Sequence, residues 1–430
     1  MSRIRRTSAA LVLSLALALP LSTAYASAAA PQSAASAPSA RTAAAQAISS
    51  RTAAPAADTQ LRIPRLSGPY AVGRNVRHLV DHTRQDPWVP SAQRELMVSV
   101  YYPARPAHPA RLDGGGSGKA RAPYMSIEEV RLFLQGKKLD AVLDAEQVSA
   151  TRTHARTDAR PARGTHPLLV LSPGFTLPRA TLTLLSEDLA SRGYVVALLD
   201  HAYETFGTTF PGGRVLTCRA CEVVEQEPTD AAEKRRMGEA AEDRAADISF
   251  VIDELKRRHP VSGQPARWQH SAMIDFSRIG AAGHSIGGNA AAYAMSVDHR
   301  IRAGVNMDGS FFAPVPRSGL GARPFLMLGT ETDHAPNGAD TTWPRDWARL
   351  DGWKRWLTVR GAGHFSFLDL PVLGAQLGIT DPTAPLPGRR AGKITTAYVG
   401  AFFDQHLRGV HQRLLTGPSH AHPEVTFRNP

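Results

Sequence analysis

Cysteine is almost missing from this 430-residue chain: Cys218 and Cys221 are the only two. A multi-disulfide framework is therefore excluded, and so is a zinc site built from cysteine alone. No apolar run is long enough to cross a bilayer, since the N-terminal stretch 9–21 falls short of the roughly 20 residues a spanning helix needs. Acidic residues are in deficit, 38 against 50 Lys and Arg, for a formal net charge of +12. The basic residues are scattered and no recognised nucleic-acid-binding motif accompanies them, which argues against nucleic acid as a partner. Internal repeats are absent as well, so solenoids and propellers are not expected.

What is present begins with an address. Arg3, Arg5 and Arg6 precede the apolar stretch, and the small residues Ala24-Tyr25-Ala26 follow it, so residues 1–26 read as a secretory signal peptide. The general secretory route is expected over the twin-arginine route, because no strong hydrophobic residue follows Arg5-Arg6 closely. Residues 27–60 are nearly all Ala, Ser, Pro, Arg, Gln and Thr, too poor in large apolar side chains to pack a core, and are expected to be a disordered leader. Residues 61–430 are expected to form one catalytic domain. Loss of the signal peptide removes three arginines and no acid, leaving a charge of about +9. That suits peripheral contact with an anionic lipid surface, although an arginine-rich genome would produce the same excess.

The Cys218/Cys221 spacing admits three readings. Zinc would need two further ligands, and a thioredoxin-like site would need a different βαβ setting. In a secreted chain a disulfide closing a small surface loop, remote from the chemistry, fits best.

The most informative motif is Gly283-His284-Ser285-Ile286-Gly287. It lies where a strand-like run (278–282) gives way to an Ala-rich, helix-like one (289–295). Gly-x-Ser-x-Gly alone is a weak signal in a chain with 35 Gly. A strand-turn-helix setting makes it a nucleophile elbow, in which small flanking residues let a strained serine stand exposed. A hydrolase also needs a base, an acid to orient the base and two N–H donors for the oxyanion. Short buried strands are expected at 302–307 and 356–359, and they deliver Asp308 and His364 to carboxyl ends, where sites in open parallel sheets gather. Upstream, the apolar strand 167–171 runs into Ser172-Pro173-Gly174-Phe175, and the amides of Phe175 and Ile286 are the expected oxyanion donors. Another strand, 324–329, ends near Asp333, the rival for the acid.

The rest of the frame follows from periodicity. A β-branched run, 94–103, begins the core. A long insertion, 104–165, separates it from the oxyanion strand. Leu182, Leu185 and Leu189 share a helix face ended by Gly193, and 194–199 is the next buried strand. Segment 202–238, which carries the cysteines, is expected to form a cap edge. Ile248, Val251, Ile252 and Leu255 mark a second helix, on which Arg244 and Asp247 are spaced for an ion pair. Ile394, Tyr398, Phe402 and Leu407 mark a closing helix.

The segments 166–175, 186–201, 283–288, 307–309 and 361–365 together resemble the plasma (isoform II) platelet-activating factor acetylhydrolases and their bacterial relatives, over about residues 96–407. The resemblance implies an α/β-hydrolase fold: a mostly parallel central sheet flanked by helices, with cap-like insertions. It implies a triad of Ser285, Asp308 and His364 with Asp308 preferred over Asp333, and phospholipids with a short or oxidised sn-2 acyl group as substrates. No cofactor or metal is needed. One departure bears on specificity: animal members carry His-Gly at the oxyanion turn, whereas Pro173-Gly174 here is the pattern of cutinase-like polyester hydrolases. A polyester or general short-chain carboxylesterase is therefore the alternative, and an inactive hydrolase shell serving as a binding protein is the non-enzymatic one. Among the other histidines, His284 is expected to pack beside the elbow with its ring turned away, His201 to be structural, and His420 and His422 to be solvated.

Overall fold

Apolar and β-branched runs supply most of a ten-stranded sheet. The computed structural model describes residues 59–106, 120–257, 259 and 266–429. Its strands are β1 (Ala71–Gln85), β2 (Gln93–Ala104), β3 (Arg156–Thr157), β4 (His166–Ser172), β5 (Val195–His201), the small separate pair β6 (Thr208–Thr209) and β7 (Val215–Leu216), then β8 (Ile274–His284), β9 (Ile301–Met307), β10 (Phe325–Thr330), β11 (Lys354–Val359) and β12 (Val425–Phe427). Their order across the sheet is β12-β11-β10-β9-β8-β4-β5-β2-β1-β3. The block from β11 to β5 is parallel, while β12, β2 and β1 pair antiparallel at its flanks. This is an α/β-hydrolase sheet.

Both faces of the parallel block are covered, which is why its strands read as unbroken apolar runs. Along β4 and β5, Leu169, Leu171, Val196 and Leu198 join the helices Thr183–Arg192 and Gly388–Arg408 in one core. Leu168, Val170, Val195 and Ala197 alternate to the other face, against Asp230–Lys256 and Ile286–Val297. Gly193 ends the first of these helices at φ 106°, a left-handed conformation that glycine adopts without a Cβ penalty.

Several expectations are corrected. The core begins with β1, not at Arg94; β1 mixes charged residues with its apolar ones, so it lacks the continuous run of a buried strand. Among its described residues the 104–165 insertion carries two helices, Ile127–Gly136 and Ala145–Ser149, the first started by a capping box between Ser126 and Glu129. The long helix starts at Asp230, inside the segment read as cap. Arg244 and Asp247 do not pair with each other. Both are buried, and Arg244 binds Glu204 while Asp247 binds Arg84, Arg94 and His201. A buried charge needs several partners in good geometry, which one neighbour on the same helix cannot supply. His422 is 6% exposed, its ring edge-on to Tyr398, instead of solvated. The expected signal peptide, and the expected leader up to residue 58, lie outside the described residues. From Gln60 onward the chain is one compact unit, and no helix among the described residues is long and apolar enough to cross a membrane.

Candidate active site

β8 ends at His284 and a helix begins at Ile286, which leaves Ser285 alone between them at φ 56°, ψ −129°. That conformation costs a non-glycine residue about 1–3 kcal/mol and persists only where its surroundings enforce it. Here the enforcement is steric. A Cβ on Gly283 would lie 2.2 Å from the carbonyl carbon of Gly287, and one on Gly287 would lie 2.1 Å from the Ser172 oxygen. The Ser285 amide donates to Met307 O at 2.8 Å, tying the elbow to the end of β9. Asp308 follows directly.

The Asp308 carboxylate is divided between two histidines. Its Oδ2 accepts from Nδ1 of His364 at 2.7 Å, and its Oδ1 accepts from Nδ1 of His334 at 2.7 Å and from the Thr330 amide at 2.6 Å. His334 Nε2 reaches Asp340 Oδ2 at 3.2 Å. Burial opposes charge on Asp308, His334 and Asp340, but the pairing outweighs it. Asp308 is held well below the usual carboxylate range, chiefly by His334 and then His364, and His334 is raised to about 9 by Asp308. His334 is therefore an imidazolium at neutral pH. With Nδ1 donating to Asp308, His364 has Nε2 available to take a proton. The rival Asp333 sits elsewhere, its Oδ2 accepting from Thr330 Oγ1 at 3.4 Å.

His284 is not turned away. Its ring lies 4.5 Å from that of His364, and its Nε2 donates to the His364 carbonyl at 2.7 Å. Burial, followed by the neighbouring His364, lowers its pKa to about 3, so it is neutral. It positions the His364 backbone.

At the turn after β4, neither the Phe175 amide nor the Ile286 amide donates to another described residue. Two free N–H groups beside a half-buried serine, one of them opening a helix, suit a developing oxyanion. The turn is braced from behind. Arg244 Nη1 donates to Pro173 O at 2.6 Å and its Nε to Glu204 Oε2 at 2.7 Å, while the Glu204 carbonyl accepts from the Thr176 amide at 2.9 Å. Arg94 then joins Glu204 to Asp247 and Asp86. Burial alone would raise Glu204, but Arg244 and Arg94 hold it at about 2.

Cys218 and Cys221 are joined, with Cα atoms 5.3 Å apart. They are not remote from the turn: their apolar cluster also contains Ile286 and Phe175. Among the described residues no group of three or more His, Cys, Asp or Glu side chains is placed to hold a metal ion.

Sequence reasoning singled out Ser285, Asp308, His364, Phe175 and Ile286, and the structure gathers them at the carboxyl ends of β4, β8, β9 and β11. It missed His334, although that residue adjoins the flagged Asp333, and it missed the brace made by Arg94, Glu204 and Arg244.

This fold, with an elbow serine beside a carboxylate-held histidine, defines an α/β-hydrolase acting on carboxylic esters. The chain belongs to the platelet-activating factor acetylhydrolase, isoform II, family, whose sequence profile matches residues 55–380. It is 27% identical over 386 residues to a probable 1-alkyl-2-acetylglycerophosphocholine esterase of Arthroderma benhamiae, covering 85% of this chain and 93% of that one. It is 24% identical to the platelet-activating factor acetylhydrolase of Gallus gallus over 237 residues, covering 49% and 54%. Among solved structures, a ferulic acid esterase from Streptomyces cinnamoneus is similar at a TM-score of 0.71 and 40% identity, covering 86% of this chain and 99% of that one.

Proposed function

We propose that this chain is a secreted serine esterase that works through an acyl-enzyme, with Ser285 as nucleophile, His364 as base and Asp308 as the acid that orients it. The observation that carries this reading is the 2.7 Å contact from Asp308 to His364 Nδ1, next to a serine held at positive φ. His364 Nε2 takes the Ser285 hydroxyl proton as Oγ attacks the ester carbonyl. Asp308 fixes the tautomer and stabilises the imidazolium. The Phe175 and Ile286 amides hold the oxyanion. His364 then protonates the departing alcohol, and water repeats the sequence to release the acid.

The family and the Arthroderma relative favour a phospholipid with a short or oxidised sn-2 acyl group. A small-acyl or aryl carboxylesterase is the second reading, favoured by the 40% identity to the ferulic acid esterase. Export rests on the 1–26 sequence pattern, with contact at an anionic lipid surface as the partner that the basic charge suits. The test is fluorophosphonate labelling together with Ser285→Ala. Labelling should be stoichiometric in the wild type and absent from the variant, whose kcat should fall about a thousandfold or more with an unchanged melting curve. Unlabelled wild-type protein, or full turnover by the variant, would refute the nucleophile.

A further inference from the structure

Lys137 follows the inserted helix Ile127–Gly136 and brings its ammonium to the rim of the candidate active site. Nζ lies 5.4 Å from the ring centroid of Phe206 and 5.3 Å from that of Phe365. Phe365 directly follows His364, their ring centroids 5.7 Å apart. Phe206 packs in the apolar cluster that contains Phe175 and Ile286. The two rings that flank the cation thus border the base on one side and the oxyanion turn on the other.

No carboxylate among the described residues pairs with Lys137. Burial lowers its pKa to about 8 with no neighbouring acid to offset it, so it still carries charge near neutral pH. Contact with two ring faces attracts the cation but does not neutralise it. The side chain is only partly buried, so its ammonium faces the rim open to a ligand, and no described carboxylate neutralises it. The remaining cations near the site are committed elsewhere: Arg244 and Arg94 to Glu204, and His334 to Asp308.

We propose that Lys137 is an anion subsite of this active site, taking an oxyanion that the ester substrate itself carries, either a phosphate on the alcohol side or a carboxylate on the acyl side. The proposal rests on the reading that Ser285 and His364 hydrolyse an ester. It names the residue that would read the negative charge such an ester carries outside the scissile group. The Phe206 and Phe365 rings would hold the apolar stem of such a substrate while its charged end meets Nζ.

The test compares kcat/KM for three esters: p-nitrophenyl butyrate, which is neutral; the p-nitrophenyl monoester of glutaric acid, charged on the acyl side; and 1-alkyl-2-acetylglycerol 3-phosphate, charged on the alcohol side. In the wild type at least one anionic ester should exceed the neutral one. Lys137→Met should lower that anionic-to-neutral ratio about tenfold, in line with a charge-assisted contact, while Lys137→Arg should keep most of it. The ester whose ratio falls identifies the source of the oxyanion. An unchanged ratio in Lys137→Met, or equal loss on all three esters, would overturn the proposal. Should that variant fold poorly, the wild type alone decides. Glutarate or inorganic phosphate should inhibit butyrate turnover competitively, and absence of inhibition by both overturns the subsite. If no ester is turned over, the esterase reading fails and the subsite with it, whereas turnover of butyrate with no anion dependence refutes the subsite alone.

Discussion

Removing the positive charge behind Asp308 should change stability in a pH-dependent way. The pKa of His334 rises from 6.5 to about 9 on folding, and at 1.36 kcal/mol per unit that corresponds to about 3 kcal/mol of linkage. Because the folded value lies above the unfolded one, the contribution is complete below about pH 6.5 and is lost as pH rises through about 9. Asp308 reports the same contact from the other end. Its depressed pKa means that its share is present above the ordinary carboxylate range and is lost only as pH falls through a value well below 3.8, so the energy is counted once. The groups packed around the ring are Asp308, Asp340, Thr330 and Trp343, the last 4.1 Å away between ring centroids. The perturbation is His334→Gln, which keeps a donor toward Asp308 and removes the cation. Urea unfolding followed by tryptophan fluorescence should show the wild type ahead of the variant by about 3 kcal/mol more at about pH 6 than at about pH 10. The same gap at both pH values would refute the charged assignment. Turnover should fall as well, through kcat instead of KM, because the group acts on His364 through Asp308.

The remaining predictions concern the acid, the turn and the disulfide. Asp308→Asn should lower kcat by up to about ten-thousandfold, whereas Asp333→Asn should change it little; the reverse ranking in p-nitrophenyl ester kinetics would transfer the role to Asp333. Arg244→Gln should cost about a hundredfold in kcat with a smaller change in KM, because the Phe175 amide loses its brace; a KM effect alone would argue against a role at the oxyanion turn. Cys218→Ser with Cys221→Ser should retain most turnover on a small ester, since so short a loop contributes little chain entropy, yet should increase proteolytic nicking of 202–229. Two titratable thiols in the native protein would refute the bond.

Much of the frame was legible because buried parallel strands have to be written as apolar runs. Strands β4, β5, β9, β10 and β11 each fall on the stretch their residues suggested, and β8 contains its stretch and extends beyond it. β1 was hidden because only part of it faces the core; Val72 and Leu79 are buried while Val76 is 45% exposed. The helix Ile127–Gly136 had a local signal, the Ser126/Glu129 capping box, which the Gly- and Arg-rich residues preceding it obscured. His334 adjoined the flagged Asp333 and Arg244 was noticed only for its spacing to Asp247, but nothing local pointed to their actual partners. Arg94 meets Glu204 and Asp247 across 110 and 153 residues of chain, and no spacing rule in one sequence anticipates which distant carboxylates a buried arginine will need.

The same limit explains why side-chain order alone would mislead here. A second serine–histidine–aspartate chain lies inside the molecule: Ser172 Oγ meets His201 Nε2 at 2.9 Å, and His201 Nδ1 meets Asp247 Oδ2 at 2.7 Å. Burial, followed by the nearby Arg244, lowers the pKa of His201, so the neutral ring accepts from the serine and donates to the aspartate, as a catalytic base would. Yet Ser172, His201 and Asp247 are each at most 1% exposed, and Ser172 continues β4 instead of standing on a strained turn. No ester carbonyl could approach it. Arg244 Nη1 lies within 3.5 Å of Ser172 Oγ while holding Pro173 O, so this chain stiffens the turn that offers the Phe175 amide. Backbone conformation and access separate the two arrangements. Ser285 stands at positive φ and is partly open to solvent, whereas at Ser172 the same three side-chain types are sealed in and hold a wall of the site in place.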